Sequence, residues 1–456
     1  MRIIPKPDQV ESDNSPVIPH SEPTTGTASL ELAVGPKRGP VKSILKLLGP
    51  GLITGASDDD PSGIGTYSQA GASTGFATLW LALITFPLMA GVQFICAKIG
   101  MVSGVGLAGV LRKHYPRWIL FPAVGLLVIA NTINAGADIG AIAAAINLLL
   151  PVDAIWLIVP IALLILTLQI LGSYRLIANI FKWLTIALFA YIGAAFFAKP
   201  DIGEVLKGTL LPTFRLDKTF LSLLVAILGT TISPYLFFWQ ASEEVEEEIS
   251  IGRNTLEQRV GATKSELKFA AWDVNIGMLF SNAVMYFIIL ATGATLFKAG
   301  LTNIQSATDA AQALRPLAGD ASGILLAVGL IGSGLLAVPI LTGSAAYAVS
   351  EAFGWRYGLD CKPGRAKQFY GVIAAATLIG MLINFVGINP IDALFWTAVI
   401  NGLIAPPLLV LLMLVSNNRQ VMGDKVNGLP SNVLGWAATV VMFAAAIALV
   451  FTSFQP

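Results

Sequence analysis

Charged side chains are scarce in this sequence. Lys, Arg, Asp and Glu together make up 12% of its 456 residues, whereas a soluble protein carries about 25%. So few charges cannot cover a soluble surface, and 55% of the residues are hydrophobic. The net charge of +1 also lacks the basic excess that is typical of nucleic-acid-binding proteins. The composition therefore indicates an integral membrane protein in contact with the lipid bilayer and gives no support for a nucleic-acid partner.

Cysteine and histidine are also rare, with two of each in the chain. Cys96 lies in an apolar run and Cys361 in a polar segment, so they form neither a disulfide framework nor a zinc cluster. His20 and His114 lie in polar segments, which leaves no histidine for catalysis or metal binding inside the membrane. We therefore expect no enzymatic activity and no bound cofactor.

Long apolar runs dominate the chain after residue 40. A helix that spans a membrane needs about 20 mostly apolar residues, and eleven segments of the sequence meet this requirement. They cover residues 46–70, 76–100, 118–149, 153–172, 176–198, 219–242, 270–297, 321–350, 369–388, 391–415 and 433–454. We expect a single transmembrane domain over residues 41–456, preceded by a disordered cytoplasmic tail over residues 1–40 that is rich in Pro, Ser and Thr.

Lys and Arg are distributed unevenly among the segments that connect these helices. About 22 of the 28 lie on one side of the predicted membrane and about six on the other. Positive charge concentrates in cytoplasmic loops. The distribution predicts a protein of the cytoplasmic (inner) membrane, with its N-terminus in the cytoplasm and its C-terminus outside.

Two of the eleven runs are interrupted by polar residues at their centres. In the first, Asp58, Asp59 and Asp60 precede Pro61, and in the sixth the interruption covers residues 229–234. Proline removes a backbone donor and clashes with the preceding turn, so both helices are expected to unwind. Three carboxylates at bilayer depth require a hydrated or cation-bearing site. Breaks five helices apart are typical of two inverted five-helix repeats with the substrate site between them.

Motifs at and near these breaks resemble those of the Nramp family of divalent-metal transporters. They are the GPG sequence at residues 49–51, the DP pair at 60–61, the second-helix exit at 99–117 and the sixth-helix segment at 229–238. The resemblance implies an all-α LeuT-type fold with broken helices 1 and 6. Its inverted repeats would cover residues 46–198 and 219–415, followed by an extra helix at 433–454.

The resemblance also implies a metal site between the two breaks. Carried over by position, its ligands are the Asp60 carboxylate, the Ser57 and Thr230 carbonyls, and Ser233. Metal-transporting members usually carry DPGN and MPH motifs, whereas this chain has Gly63 in place of the asparagine and Ser233 in place of the methionine. Asp58 and Asp59 either bind the ion directly or lower the potential along its access route, and the sequence leaves both roles open.

These departures favour a hard cation. A thioether suits transition metals, whereas carboxylate, hydroxyl and carbonyl oxygens suit Mg²⁺, Ca²⁺ and Mn²⁺. Ser233 and Gly63 would make the site harder and wider, which suits an ion that keeps part of its water shell, as Mg²⁺ does. The sequence is similar in this respect to the Nramp-related magnesium transporters. We therefore expect a secondary transporter of Mg²⁺ that tolerates Mn²⁺.

Proton coupling is not expected from the sequence. Proton-coupled Nramp proteins use a sixth-helix histidine, which is replaced here by Tyr235, and paired acids on the third helix, of which Asp138 alone remains. Asp138 is either part of a pathway or a buried carboxylate paired with Asn131 or Asn134. Asn282, on the seventh helix, either lines the pathway or joins two helices.

Three other functions stay open at this stage, and no obligate protein partner is evident. One is proton-coupled transport of Mn²⁺ or Fe²⁺, and another is transport of an organic solute, for which the aspartates disfavour an amino acid but not an organic cation. The third is a receptor on the same scaffold that does not transport. Residues 243–248 form an acidic run, which we interpret as a solvated face of a helix. The alternative interpretations are an exit that attracts cations and a regulatory metal site.

Overall fold

The computed structural model of the protein describes residues 49–172, 190–359 and 361–454, and within these ranges its regular secondary structure is helical. The helices of eight or more residues are α1 (Pro50–Asp58), α2 (Pro61–Thr74), α3 (Leu81–Ser103), α4 (Leu107–His114), α5 (Arg117–Leu149), α6 (Ala154–Leu171), α7 (Ala190–Phe197), α8 (Ile202–Leu210), α9 (Lys218–Thr231), α10 (Pro234–Ser250), α11 (Lys264–Thr292), α12 (Ser322–Phe353), α13 (Lys367–Ile383), α14 (Pro390–Ser416) and α15 (Leu429–Ser453). Shorter helical turns cover Leu256–Arg259, Gly293–Phe297, Ala307–Ala311, Gln312–Leu314, Arg315–Ala318, Gly319–Ala321, Asn384–Val386, Arg419–Met422 and Gly423–Lys425.

Nine helical stretches in the described part of the chain are long and apolar enough to cross a membrane. Two of the eleven predicted spans are not among them. The first is divided between α1 and α2, and the fifth, at 176–198, lies partly outside the described residues, so that only α7 is seen. The predicted tail at 1–40 lies wholly outside them. The prediction of an all-helical membrane fold with broken first and sixth helices is confirmed.

Some helices extend beyond the apolar runs that predicted them. The predicted sixth span ends at residue 242, whereas α10 continues to Ser250. The predicted seventh span starts at residue 270, whereas α11 starts at Lys264, after a capping box formed by Thr263 and Glu266. These additional turns are polar, and a criterion based on apolar residues does not detect them. Their stability comes from capping and packing instead.

The first break has a local cause. Asp60 adopts an extended conformation and caps α2 with its side chain, while Pro61 occupies the first helical position. Proline is favoured there because its missing N–H would have no partner in the helix in any case. The sequence Asp60-Pro61 thus ends one helix and starts the next.

The second break is built in the same way. Pro234 starts α10, and Ser233 before it is extended. The Ser233 hydroxyl is 2.7 Å from the Thr230 carbonyl oxygen and 3.0 Å from that of Gly229. It donates to the last turn of α9, whose carbonyls have no helical partner once the helix stops. Both breaks therefore arise from a proline that follows a polar residue.

Helix α1 lies directly against α11. A Cβ atom on Gly55 would overlap the backbone of Gly277, and one on Gly51 would lie 2.6 Å from the backbone nitrogen of Val274. The two backbones therefore approach as closely as glycine allows. At its start α1 is capped by Asp273 of α11, which accepts hydrogen bonds from the Gly49 and Gly51 N–H groups at 2.9 and 2.6 Å. This packing fixes the position of the first break.

Candidate metal site

Asp60 is held at the first break by three hydrogen-bond donors. Its Oδ1 accepts from the Ser62 hydroxyl at 2.6 Å and from the Gly63 N–H at 2.7 Å. Its Oδ2 accepts from the Asn134 side-chain amide of α5 at 2.8 Å. Asp60 is 1% exposed. These bonds orient a carboxylate that lies within the helix bundle and stabilise its charged form.

Asp58 and Asp59 contact α11 rather than α5. The Ser281 hydroxyl lies 2.7 Å from Asp58 Oδ2 and 3.2 Å from Asp59 Oδ1. A hydroxyl has one proton, so Ser281 donates to only one of these carboxylates at a time. Asp58 Oδ1 and Asp59 Oδ2 are buried and make no hydrogen bond. Buried carboxylate oxygens without a donor are costly, which favours a cation close to them.

The two carbonyls predicted as ligands each accept a hydrogen bond from the start of α10 or the residue before it. The Tyr235 hydroxyl donates to the Ser57 carbonyl at 2.9 Å, and Ser233 donates to that of Thr230. A carbonyl oxygen has two lone pairs, so each retains capacity for a cation. Ser233 thus acts through the backbone of α9 in this conformation, with its hydroxyl directed at the carbonyls.

Gly63 lies where the two breaks meet. A Cβ atom at this position would be 3.1 Å from Thr230 Oγ1, 3.3 Å from Tyr67 Cε2 and 3.5 Å from the Asp58 carbonyl oxygen. The sequence predicts a wider metal site where Gly63 replaces asparagine, and the Thr230 hydroxyl and the Tyr67 ring partly fill this space. The groups around this position present oxygen atoms from both broken helices.

Asp138 lies near Asp60 without being paired to it. Its carboxylate is buried, no side chain donates a hydrogen bond to it, and it lies near the Ser62 backbone N–H and near Asp60. The expected pairing with Asn131 or Asn134 is wrong, because Asn134 donates to Asp60 and Asn131 donates to the Leu341 carbonyl of α12. Asp138 is therefore a buried carboxylate near the first break that has no side-chain partner among the described residues.

The acidic side chains of this region have no basic partner among the described residues. Asp58, Asp59, Asp60 and Asp138 are all buried, and among the described residues none of them forms a salt bridge with Lys or Arg. Within the part of the chain that the structure describes, no three Asp, Glu, His or Cys side chains lie close enough together to hold a metal ion by themselves. A cation at Asp60 would thus need further oxygen ligands, and backbone carbonyls and waters supply these for Mg²⁺ and Ca²⁺.

The family profile described as "Natural resistance-associated macrophage protein-like", or Nramp, matches residues 51–452 of this chain. The protein belongs to the Nramp family. It is 26% identical over 420 residues to the divalent metal cation transporter MntH of Bacillus subtilis, a match that covers 91% of this chain and 94% of the relative.

Solved structures agree with the Nramp assignment at the level of the fold. The crystal structure of the Eremococcus coleocola manganese transporter superposes with a TM-score of 0.71 at 20% identity, covering 94% of this chain and 93% of the other. The nucleobase-cation-symport-1 transporter Mhp1 superposes with a TM-score of 0.55 at 13% identity, covering 89% and 93%. The predicted LeuT-type arrangement with broken helices 1 and 6 is confirmed.

Three residues around the candidate site are not indicated as site residues by the sequence. Asn134 contacts Asp60, Ser281 contacts Asp58 and Asp59, and the Tyr67 ring borders Gly63. The spacing of Tyr67, four residues after Gly63 on α2, was an available signal because such residues share a helix face. Asn134 and Ser281 lie on helices that are distant in the sequence, so no local sequence pattern indicates which aspartate each of them contacts.

Asn282, a sequence-based candidate for the ion pathway, joins two helices of the Nramp fold. Its amide donates to the Ala82 carbonyl at 2.9 Å, and its side-chain oxygen accepts from the Thr85 hydroxyl at 2.9 Å. Both partners belong to α3. Both polar atoms of the amide therefore take part in holding α11 against α3, next to Ser281 at the break.

Proposed function

We propose that this Nramp protein is a secondary transporter of hard divalent cations that prefers Mg²⁺ and accepts Mn²⁺. The observation that carries the proposal is the set of four buried carboxylates beside the two helix breaks, with no basic partner in the described residues. Two proteins that this chain is similar to, a divalent metal cation transporter and a manganese transporter, support a divalent substrate. The ion would bind at Asp60.

The preference for a hard ion rests on the donor atoms at the break. Ser233 and Thr230 present hydroxyl and carbonyl oxygens, and Ser57 presents a carbonyl oxygen. Oxygen donors favour Mg²⁺, Ca²⁺ and Mn²⁺ over softer metals. Because few of these groups point freely at one centre, an ion there would retain waters, which is the usual state of Mg²⁺ in proteins.

We further propose that transport is not coupled to protons. The Tyr235 hydroxyl donates a hydrogen bond to the Ser57 carbonyl. It therefore acts as a positioning group rather than as a base. We also propose that the protein lies in the cytoplasmic membrane with its N-terminus in the cytoplasm and its C-terminus outside, since about 22 of 28 Lys and Arg residues lie on the corresponding side.

The function is tested with purified protein in liposomes that contain an indicator for Mg²⁺ or Mn²⁺ together with a pH-sensitive dye. We expect both ions to enter and the internal pH to stay constant when no pH gradient is imposed. Cation entry accompanied by acidification would establish proton symport instead. An absence of cation flux in protein that is folded and correctly inserted would favour an organic solute or a receptor.

The proton-coupled alternative is favoured by one observation, the unpaired carboxylate of Asp138 beside Asp60. The variant Asp138→Asn separates the two functions because it removes a charge and keeps the shape of the side chain. Under the proposed mechanism its uptake rate changes by no more than about twofold and stays insensitive to a pH gradient. Loss of a proton-driven component would assign Asp138 to a coupling pathway.

The Tyr235 hydroxyl is expected to weaken the Ser57 carbonyl as a ligand, because its hydrogen bond draws electron density from the oxygen whose second lone pair would face the cation. Tyr235→Phe removes this hydrogen bond, whose net contribution is about 0.5–1.5 kcal/mol. We therefore expect the KM for Mg²⁺ uptake to fall by about two- to tenfold. Tyr370→Phe is the matched control, because the Tyr370 hydroxyl donates to the Leu359 or the Cys361 carbonyl, both of which lie outside α1. An unchanged KM in Tyr235→Phe would remove the Ser57 carbonyl from the ligand set.

A further inference from the structure

One corner of the helix bundle combines exposed cations with exposed aromatic rings. It is formed by the last turn of α4, the first turns of α5 and the residues around the end of α12, and we call it the basic corner. Its members are the cations Arg112, Lys113, Arg117 and Arg356 and the rings of Trp118, Phe121, Phe353 and Trp355. The cations are exposed except Arg356, which is half-buried. Aromatic and basic residues side by side are typical of a surface at the edge of a membrane.

Side-chain contacts hold the three segments of the basic corner together. The ring centroids of Phe121 on α5 and Phe353 on α12 are 5.3 Å apart, and Phe353 stacks on Trp355 at 4.9 Å with an interplanar angle of 16°. The Arg112 guanidinium lies against Gly354, where a Cβ atom would overlap it. Gly354 ends α12 with a φ of 72°, which glycine adopts without strain. The end of α4 is therefore fixed beside the end of α12.

The cations of the basic corner have no acidic partner in the part of the chain that the structure describes. None of the four forms a salt bridge there, and residues 107–121 contain no Asp or Glu. Glu351 of α12 contacts the start of α4, but it is buried and accepts hydrogen bonds from the Gly109 N–H at 3.0 Å and the Ser242 hydroxyl at 3.3 Å. It joins three helices inside the bundle, which leaves the exposed cations open to an anion from outside.

The rings of α5 lie further into the membrane than its first cation. Helix α5 is long and apolar enough to cross a membrane and begins at Arg117, so Phe121 lies about 6 Å further along the helix axis. Trp118 and Phe121 are three residues apart and share a helix face, and they are 74% and 40% exposed. Cations at the surface with rings beneath them match the order of phosphate and acyl chains in a phospholipid.

We propose that the basic corner binds the headgroup of an anionic phospholipid. The phosphate lies among Arg112, Arg117 and Arg356, because guanidinium groups bind phosphate through two parallel hydrogen bonds, and the acyl chains lie along Phe121 and Phe353. Charge selects an anionic headgroup, since residues 107–121 offer no carboxylate to a choline or ethanolamine cation. Basic residues next to a membrane attract anionic lipids in this manner. The lipid site does not depend on which ion is transported.

Native mass spectrometry of the detergent-solubilised protein tests this site, because it resolves each bound lipid. Phosphatidylglycerol and phosphatidylcholine are titrated separately, and inorganic phosphate in large excess serves as a soluble competitor. We expect the native chain to bind its first phosphatidylglycerol about tenfold more tightly than phosphatidylcholine. The double variant Arg117→Gln with Arg356→Gln should weaken phosphatidylglycerol binding by about tenfold, because it removes two of the cations, and leave phosphatidylcholine binding unchanged.

The control is Lys298→Gln with Arg315→Gln, which removes the same charge from exposed residues outside the basic corner and should leave both affinities unchanged. Equal affinity of the native chain for the two lipids, or an unchanged preference in the double variant, would overturn the proposal. An equal loss in the control would show attraction by net charge alone, and displacement of the lipid by inorganic phosphate would show a site for a soluble anion. Either result also contradicts it. If the double variant does not fold, Lys113→Gln with Arg117→Gln replaces it, with the same expected result.

Discussion

Replacement of Asp60 by asparagine is expected to reduce cation uptake by at least about a hundredfold. Asparagine keeps an oxygen that accepts from the Ser62 hydroxyl and the Gly63 N–H, so the cap of α2 is preserved. The charge that would bind the cation is lost. Removal of one partner from a buried ion pair costs about 3–5 kcal/mol, which corresponds to an affinity loss of this size. Initial rates of Mg²⁺ and Mn²⁺ uptake into liposomes provide the measurement.

A matched variant distinguishes this effect from a general loss of protein. Asp153→Asn changes an exposed aspartate before α6 whose side chain makes no capping bond, and its uptake should equal that of the native protein. Thermal unfolding in detergent should show Asp60→Asn within a few degrees of the native chain. Uptake that survives in folded Asp60→Asn protein would remove Asp60 from the site.

The double variant Gly63→Asn with Ser233→Met is expected to shift selectivity from Mg²⁺ toward Mn²⁺. Methionine supplies a soft thioether and no longer donates to the Thr230 carbonyl. Asparagine at position 63 adds an amide oxygen between the two breaks. Its Cβ atom would lie 3.1 Å from Thr230 Oγ1. We expect the ratio of kcat/KM for Mn²⁺ over Mg²⁺ to rise by about tenfold or more, which corresponds to about 1.4 kcal/mol of differential binding.

The single variants show which change carries the shift. Ser233→Met alone should raise the ratio, whereas Ser233→Ala, which removes the hydroxyl without adding sulfur, should leave it nearly unchanged. Gly63 has close neighbours on both sides, so Gly63→Asn is also expected to lower stability, and unfolding must be measured alongside transport. A constant Mn²⁺ to Mg²⁺ ratio in the folded double variant would contradict the assignment of a hard-ion site to these positions.

The sequence predicted the two helix breaks because their causes are local. At Asp60-Pro61 and at Ser233-Pro234, a polar residue and a proline interrupt an apolar run, and the structure starts a new helix at each proline. The same residues supply the caps. Helix ends that depend on neighbouring residues in this way can be predicted from the sequence without knowledge of the fold.

The partners of the buried carboxylates were not predictable in the same way. Asn134 is 74 residues from Asp60, and Ser281 is 223 residues from Asp58. Periodicity places such residues on a helix face but does not determine which distant helix they meet. From the sequence, Asn134 is a candidate partner of Asp138, which lies one turn further along α5. In the structure α5 packs against the break, and the Asn134 amide donates to Asp60 instead.

The length of α1 has a consequence for how an ion at its end senses voltage. Its nine residues extend about 13.5 Å, close to half of a hydrocarbon core of about 30 Å. With Pro50 at the membrane surface, a divalent cation bound at the proposed Asp60 site would have crossed about half of the membrane potential. Two charges over half of the field gain about 2.3 kcal/mol for each 100 mV, which is about a fiftyfold change in apparent affinity. Occupancy of the site would itself depend on voltage, before any ion is released.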